Sequence, residues 1–416
     1  MKRNYVILQE SIAPSFERAP EPARAEPGGA PMPGARPSTV PPMRPPLPPA
    51  GPTAVPITTS VEMHTLSTRE ATEIVTRRQA AAIAPVMPMR LIEPVSRGEE
   101  GLVPARRTAW GLEAVGATTS PFDGDGIVVA VLDTGIDPNH EAFRGVALER
   151  RNFTLAGDDD DEGHGTHCAG TVFGRDVGGV RIGVARGIRK ALIGKVLGNG
   201  GGGSDKIAQA IQWAVDGGAH VVSMSLGIDF PGFVAELERE RVPKEVAVSM
   251  ALEGYRANIL LFERLASFVV ARGAFGQPAL LVAAAGNESR RGTDADFELS
   301  VAPPAVAEGI VSVAALGESA GGFRVADFSN TGARIAGPGV DILSAKRGGG
   351  MVAMSGTSMA TPHVAGVAAL WAQKLAASSQ LRDLMSRLIG SAASARLATG
   401  FDPADVGAGM AQAPQA

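Results

Sequence analysis

The chain has 416 residues, of which 44% are apolar and 52 are glycine, and its formal net charge is −4. This composition is typical of a compact, turn-rich globular protein, and the absence of a sustained basic stripe excludes a dedicated nucleic-acid binder. The single cysteine, Cys168, excludes an internal disulfide framework, and the lack of an 18-residue apolar run predicts no membrane span. The apolar run over residues 5–8 is too short for a signal peptide, so the default prediction is a cytoplasmic protein.

The N-terminal part of the chain is unlike the rest in composition. Residues 1–18 precede the proline-rich stretch and contain the apolar run over 5–8. Residues 19–57 are dominated by proline, alanine and glycine. Because such a segment buries too little apolar surface to fold, it predicts a disordered linker, with a recognition tract as the alternative interpretation.

Residues 58–104 predict a small β-α-β unit. Apolar and polar residues alternate over 60–66, which is typical of a strand. Ser67 then offers an N-cap with Glu70 three residues later, and this pairing predicts a short helix. The apolar residues over 81–92 predict the second strand.

From residue 108 onward, strand and helix patterns alternate along the chain. This order predicts an α/β fold, a doubly wound and mostly parallel sheet flanked by helices. Strands are predicted over 127–132, 191–197, 220–226, 279–284 and 310–315, and helices over 206–217 and from residues 164 and 358. Residues 229–278 form a helical insertion, in which 244–272 show amphipathic spacing for one long helix or two consecutive ones.

Three polar residues stand where such a sheet offers catalytic positions. Asp133 follows the buried strand 127–132, and His164 opens a helix of small residues. Ser358 lies in a glycine-introduced turn at a helix N-terminus, where free N–H groups favour developing negative charge. A serine hydroxyl needs a base, and the order Asp, His, Ser is one of the known triad orders. Metal binding by His164 and His167 is the rival interpretation, but the i, i+3 spacing lacks the zinc-protease pattern.

The motifs around these residues carry a family resemblance. DTGID, HGTHCAG and GTSMATPHVAG occur in that order, and together they resemble the subtilisin-like (S8) family of serine proteases over residues 105–412, leaving 413–416 as a tail. The resemblance implies a serine endopeptidase in which Ser358 attacks the scissile carbonyl, His164 takes its proton and Asp133 orients the imidazole. It implies a protein or peptide substrate.

The unit over 58–104 is similar to the inhibitory propeptide of this family, with residues 5–9 supplying a further strand. The proline-rich linker would replace the elements that usually lie between them. This similarity implies a latent enzyme whose own N-terminal region acts as an intramolecular inhibitor. A small docking or accessory domain is the alternative interpretation. The insertion over 229–278 would either wall the substrate groove or simply thicken the shell of the domain.

The resemblance also assigns substrate-binding residues. Asn287 would donate to the oxyanion together with the Ser358 backbone N–H. Two edge segments would clasp an extended peptide, and a strand end would form the wall of a roomy primary pocket. The edge residues are Gly200, Gly201, Gly202, Ser225, Leu226 and Gly227, and the wall residues are Ala284, Ala285 and Gly286.

No cofactor is predicted to be required. Calcium is possible, but the side-chain ligands of the family's strong calcium site align with Ala142 and Val177, which cannot coordinate a cation. The acidic run over 158–162 predicts a solvated loop, with calcium or basic substrates as alternatives. Cys168 is predicted to be buried and inert beneath His164.

Two other functions stay open from the sequence. A peptide ligase or macrocyclase would use the same triad but pass the acyl group to an amine. A catalytically silent peptide-binding module would keep its N-terminal segment docked permanently.

Overall fold

The computed structural model describes residues 2–12, 57–97, 107–198, 201–273, 277–376 and 381–415. The predicted linker lies outside the described residues apart from residue 57, and Gly200 of the predicted glycine-rich edge lies outside them as well. None of the helices in the described ranges is both long and apolar enough to cross a membrane.

The elements follow one another in mostly alternating order along the chain. The strands are β1 (Lys2–Ile12), β2 (Ile57–Ser67), β3 (Ala82–Pro85), β4 (Pro88–Leu91), β5 (Ser96–Arg97), β6 (Val128–Asp133), β7 (Ala147–Asn152), β8 (Lys190–Lys195), β9 (Gly202–Gly203), β10 (Val221–Met224), β11 (Leu226–Ile228), β12 (Leu280–Ala284), β13 (Ile310–Ser319), β14 (Gly322–Val325), β15 (Ile335–Pro338), β16 (Ile342–Ala345) and β17 (Met351–Ser355). The helices are α1 (Thr68–Thr76), α2 (Trp110–Ala114), α3 (His164–Phe173), α4 (Ser204–Asp216), α5 (Phe230–Arg239), α6 (Lys244–Arg272), α7 (Thr357–Ala376), α8 (Leu384–Gly390) and α9 (Pro403–Val406), with 3-10 turns at Glu141–Phe143 and Leu381–Asp383.

The central sheet runs in the order β14-β13-β12-β10-β6-β8-β7, and β15 also pairs with β13. Its strand pairs are parallel except for β13 with β14. Because successive side chains of a strand face opposite sides, Val129 and Val131 of β6 join a core with α3 and α7. Ala130 and Leu132 join a second core with α4 and α6. Two buried faces explain the continuous apolar runs, and the predicted doubly wound α/β fold is confirmed.

The strand predicted over 220–226 is wrong in one respect, because the structure divides it at Ser225. β10 stays in the central sheet between β6 and β12. β11 leaves that sheet and pairs antiparallel with β4 instead. Sequence periodicity does not show this change of partner, because both pieces are buried and apolar. The division leaves the backbone of β11 free to hold an added strand.

The helical insertion supports the N-terminal segment. α6 is one uninterrupted helix over the predicted 244–272. The Asn258 side chain donates from Nδ2 to the Pro85 carbonyl at 2.9 Å. Gly254 faces Pro85 and Met87 so closely that a Cβ there would lie 3.2 Å from each. The insertion therefore packs beneath the N-terminal residues 82–89.

The N-terminal residues form a sheet of their own, in the order β2-β1-β3. β1 pairs antiparallel with β2 over its whole length, from Lys2 opposite Ser67 to Ile12 opposite Ile57. The predicted helix start is observed, since Ser67 and Glu70 form a reciprocal capping box at α1. The apolar run over 81–92 forms two strands, β3 and β4, which belong to different sheets.

Residues 88–97 leave the N-terminal sheet and cross the main domain. β4 lies between β11 and β9, antiparallel to both. β5 then pairs antiparallel with β17, the strand that leads into α7. We call residues 88–97 the crossing segment. It brings the N-terminal region to the carboxyl ends of the parallel strands, where an α/β sheet places its ligands.

Candidate active site

Asp133 and His164 form a hydrogen-bonded pair at the end of β6 and the start of α3. The His164 Nδ1 atom lies 2.8 Å from Asp133 Oδ1, and both side chains are at most 1% exposed. The Thr134 backbone N–H also donates to Asp133 Oδ1 at 2.7 Å. Burial disfavours the charged imidazole, but the Asp133 carboxylate outweighs it and holds the pKa of His164 well above its ordinary value.

One close backbone approach and one positive φ angle position this pair. A Cβ on Gly165 would lie 2.1 Å from the Gly135 carbonyl oxygen, so only glycine lets the first turn of α3 lie against the turn after β6. Gly163, just before the helix, has a φ of +84°. Glycine is therefore required at residue 165 and favoured at residue 163, on either side of His164.

Asp160 ties the same two elements together. It is 3% exposed, and its carboxylate accepts hydrogen bonds from the side chains of Thr134 and Thr166 at 2.8 and 2.6 Å. It also accepts from the backbone N–H groups of Gly163 and Thr166. Burial opposes the charge, but these donors lower the pKa of Asp160 below its ordinary value. The prediction of a solvated acidic loop is wrong for Asp160, which is a buried support of the His164 helix.

The neighbouring carboxylates of the acidic run contact cations of the protein itself. Lys195, at the end of β8, is 2% exposed and lies 2.8 Å from Asp161 Oδ2. Arg150 on β7 lies 2.7 Å from Asp159 Oδ1. These ion pairs fasten the run across the ends of the parallel strands.

Ser358 lies in the first turn of α7 and is fully buried beneath the crossing segment. Its Oγ donates to the Ile92 carbonyl oxygen at 2.7 Å. Among the described residues, His164 Nε2 has no hydrogen-bond partner. The hydroxyl of Ser358 is thus bonded to the crossing segment, whereas the imidazole of His164 has its partners, Asp133 and the Cys168 thiol, at Nδ1.

Cys168 of α3 is a buried free thiol next to His164, and its burial confirms that part of the prediction. Its Sγ is 3.7 Å from His164 Nδ1 and 3.4 Å from the Ser358 carbonyl oxygen, so it bridges α3 and α7. Burial raises the pKa of the Cys168 thiol, which keeps the thiol protonated. His167, on the same helix, donates from Nε2 to the Ile342 carbonyl oxygen at 2.9 Å, and burial lowers the pKa of His167 to about 3. It faces away from any shared site with His164.

Asn287 lies beside Ser358 with a fixed amide. Its Oδ1 accepts from the Thr357 backbone N–H at 2.9 Å and from the Thr357 hydroxyl at 2.8 Å. The amide nitrogen Nδ2 therefore points toward the crossing segment, where it donates to the Glu93 carbonyl at 2.9 Å. Gly286, with a φ of +114°, makes the turn that presents Asn287.

The two predicted edge segments clasp the crossing segment. Gly227 lies opposite Arg90 and Leu226 opposite Leu91, while Met89 lies opposite Gly202. The Ser225 carbonyl accepts from the Ile92 N–H at 3.4 Å. A Cβ on Gly201 would lie 2.4 Å from the Met89 carbonyl, so glycine is needed for the close approach. The edges hold a peptide as an added strand.

The predicted wall residues Ala284 and Ala285 lie at the end of β12, just before Asn287 in the chain. Ala284 ends β12, and the Ala285 carbonyl accepts from Asn330 Nδ2 at 3.2 Å. Asn330 also accepts from the backbone of Glu288 at 3.1 Å, which fixes the strand end that carries Asn287. A cavity of about 400 Å³ lies beside Glu93 and Asn287.

The positions aligned with a calcium site do not fit a cation. Ala142 and Val177 are both buried in the core and carry no oxygen ligand on their side chains. The Ala142 N–H donates to His140 Nδ1, and Val177 makes a bridge with Val180. Hydrocarbon packing fills the places where oxygen ligands would be needed.

The sequence predicted an inhibitory N-terminal region but did not identify residues 88–97 as the part that lies in the site, and it did not identify Asp160. The apolar run over 81–92 signalled strands but not their partners. The acidic run did not show which of its carboxylates is buried, although Thr134 and Thr166 at the two motifs were the available signal.

The family model described as "Subtilase family" matches residues 124–409. "Subtilisin-like protease 1" of Trichophyton verrucosum is 34% identical over 296 residues, which cover 68% of this chain and 63% of that protein. "Subtilisin-like protease 6" of Trichophyton tonsurans is 35% identical over 275 residues, covering 63% of this chain and 57% of that protein. The chain thus spans less than two thirds of the length of these relatives.

A solved structure is also similar. Fervidolysin from Fervidobacterium pennivorans, titled a keratinolytic enzyme related to subtilisin, matches with a TM-score of 0.58 and 26% identity. The match covers 86% of this chain and 55% of that one.

Proposed function

This chain belongs to the subtilase family, and from that premise we propose that it is a serine endopeptidase held latent by its own crossing segment. Ser358 attacks the scissile carbonyl, His164 takes the serine proton and delivers it to the leaving amine, and Asp133 keeps the imidazole in the required tautomer. Asn287 donates to the oxyanion of the tetrahedral state.

One observation carries the proposal. The Ile92 carbonyl of a chain paired between two edge strands lies 2.7 Å from Ser358 Oγ. A peptide substrate would have to take the same edges and the same carbonyl position. The crossing segment therefore supports both parts of the proposal, a peptide-binding cleft at the nucleophile and an intramolecular occupant that excludes substrate.

The burial of the crossing segment supports its role as an inhibitor. Met89 is 1% exposed and Ile92 is 4% exposed, so both side chains are taken into the domain. Burying an apolar side chain of this size stabilises by about 1.5–3 kcal/mol. Because the segment is part of the same chain, its effective concentration at the cleft is high. A substrate in solution competes poorly with it.

A catalytically silent peptide-binding module is the second candidate. The observation that favours it is the bonding of Ser358 to Ile92 together with the unpaired His164 Nε2. The two candidates differ in whether the serine reacts once the segment is displaced.

The test uses the full-length chain with a recognition sequence for an exogenous site-specific protease placed within residues 98–106. We call this protein, after cleavage, the cut chain. Cutting lets the crossing segment dissociate, and hydrolysis of a casein substrate should then rise above that of the uncut chain. Ser358→Ala, cut in the same way, should stay inactive. If the cut chain neither hydrolyses casein nor forms an adduct with a fluorophosphonate, the silent module replaces the enzyme.

We also propose that activity needs no calcium at Ala142 and Val177. Chelation with EDTA should leave casein hydrolysis by the cut chain unchanged, because those side chains are apolar and buried. A loss of activity that added calcium restores would contradict this part of the proposal.

A further inference from the structure

Arg90 is the charged residue of the crossing segment inside the clasp. It lies on β4 opposite Gly227, and its side chain is 46% exposed while Met89 and Ile92 are buried. Its Nη2 atom lies 3.2 Å from Glu288 Oε1, and Nη1 lies 3.9 Å from Asp229 Oδ1. Two carboxylates thus flank the position where the substrate's third residue before the cleavage point would lie.

Both carboxylates are held in place independently of Arg90. Asp229 caps α5, where its Oδ1 accepts from the Gly232 N–H at 3.0 Å. Glu288 Oε2 accepts from Asn330 Nδ2 at 2.8 Å. Asp229 directly follows β11 and Glu288 directly follows Asn287, so each belongs to a rigid part of the cleft. A preorganised acidic pair favours a cation without losing side-chain freedom when it binds.

We propose that Asp229 and Glu288 form a subsite that selects substrates with arginine or lysine two residues before the residue whose carbonyl meets Ser358. This inference rests on the proposed endopeptidase function and names its substrate class: extended peptides with a basic residue at the place of Arg90 and apolar residues at the places of Met89 and Ile92. Arginine's planar fork suits two carboxylates better than lysine's single ammonium.

The test is internal competition in the cut chain. Peptides of the sequence 88–92 with a C-terminal p-nitroanilide are mixed in one reaction with versions carrying Ala or Glu in place of arginine. The ratio of kcat/KM values does not depend on how much enzyme stays blocked by its own segment. Arginine should be preferred about threefold over alanine and about tenfold over glutamate, as expected for partly exposed ion pairs.

Two conservative variants locate the effect. Asp229→Asn keeps a capping side chain and Glu288→Gln keeps an acceptor for Asn330, yet each removes one charge. Together they should bring the arginine-to-glutamate ratio close to one. Glu149→Gln, which removes a carboxylate of β7 that pairs with Lys190 of β8, should leave the ratio unchanged. Equal hydrolysis of all three peptides by the wild type would overturn the subsite, whereas hydrolysis of none would refute the proposed function.

A second inference comes from the two carbonyls that follow Leu91. Ser358 Oγ contacts the Ile92 carbonyl, whereas Asn287 Nδ2 contacts the next carbonyl, that of Glu93. Acyl transfer requires nucleophile and oxyanion donor to act on the same carbonyl group. Here the two groups are divided between successive residues.

Two anchors hold this division in place. On one side the Ile92 N–H bonds to the Ser225 carbonyl at 3.4 Å, and on the other the Val95 N–H bonds to the Ser355 carbonyl at 2.8 Å. Glu93 and Pro94 span the gap between them. Pro94 has no N–H to pair, and it favours an extended conformation at Glu93.

We infer that the crossing segment carries one residue too many between its anchors, and that this surplus protects it from cleavage by its own Ser358. With one residue fewer, a single carbonyl could meet both groups. Ser358 Oγ would then bond to the Ile92 carbonyl carbon while its proton passes to His164 Nε2. The Ile92–Glu93 bond would break as that proton reaches the Glu93 nitrogen, and water would release the acyl group.

The test is deletion of Pro94 in the full-length chain, read by intact mass after incubation. The deletion should produce self-cleavage between Ile92 and Glu93, and the same deletion with Ser358→Ala should stay intact. Pro94→Ala keeps the residue count and should stay intact like the wild type. Self-cleavage of the wild type at this place would overturn the inference, and so would a stable deletion variant whose cut form hydrolyses casein. If no form hydrolyses casein, the proposed function fails with it.

Discussion

The proposed catalytic centre has two halves that differ in what holds them. The Asp133–His164 half is bonded within the domain, with Asp160 and the glycines of α3 fixing it from below. In the Ser358–Asn287 half, Ser358 Oγ and Asn287 Nδ2 donate hydrogen bonds to the Ile92 and Glu93 carbonyls of the crossing segment. The base is therefore assembled while the nucleophile and oxyanion donor are occupied. If the chain is the latent enzyme that we propose, its latency lies in the substrate side of the cleft and not in a distorted base.

The largest effect should come from the nucleophile. Ser358→Ala in the cut chain should lower casein turnover by about 10⁶, because no other described group can replace the attacking hydroxyl. Initial rates of peptide hydrolysis measure it. A loss smaller than tenfold would mean that this half is not catalytic.

The assembled half should show a smaller loss with a change in pH dependence. Asp133→Asn should lower kcat by about 10⁴, since the amide no longer holds the required imidazole tautomer. In the wild type, a raised pKa of His164 means that the base is neutral only at higher pH, so activity should rise through a value above 6.5. That rise should move to lower pH in the variant. An unmoved pH–rate profile would contradict the Asp133–His164 coupling.

Removing the oxyanion donor should cost less than either change. Asn287→Ala in the cut chain should lower kcat by about 10²–10³, the loss known for such a donor in subtilisin itself. The uncut variant also loses its contact with Glu93, so its fluorophosphonate labelling, relative to that of the wild type, should fall less in the uncut chain than in the cut chain. An equal fall in both forms would show that Asn287 does not hold the segment.

The smallest effect concerns stability beneath the assembled half. Burial lowers the pKa of His167 to about 3 from 6.5, so the unfolded chain binds more protons between these values and stability falls as pH falls below 6.5. The contribution is about 1.4 kcal/mol per pH unit. Urea unfolding of the uncut chain at pH 7.5 and 5.0 measures it. His167→Gln should remove the contribution of this one proton from the difference in unfolding free energy between the two pH values. An unchanged difference would contradict the assignment.

The contrast between the halves also separates what the sequence could predict from what it could not. The strands and helices that carry Asp133, His164 and Ser358 follow local periodicity and turn chemistry, so they were predictable. The pairing of Met89 with Ile228 and Gly202 depends on residues far away in the chain. It is made by backbone groups, which every residue has, so no side-chain pattern in the sequence predicts it. The burial of Asp160 was hidden for a related reason, because its donors come from two separate motifs.

Labelling of Ser358 by a fluorophosphonate in the uncut chain tests the central claim most directly, with three proteins compared by mass spectrometry. Met89→Asp puts a charge at a residue that is 1% exposed and should loosen the crossing segment, so its labelling should be at least tenfold faster than that of the wild type. Met63→Asp changes an exposed methionine of β2 and should label at the wild-type rate. Equal rates in all three proteins would contradict the account, because they would show that the segment does not guard the serine.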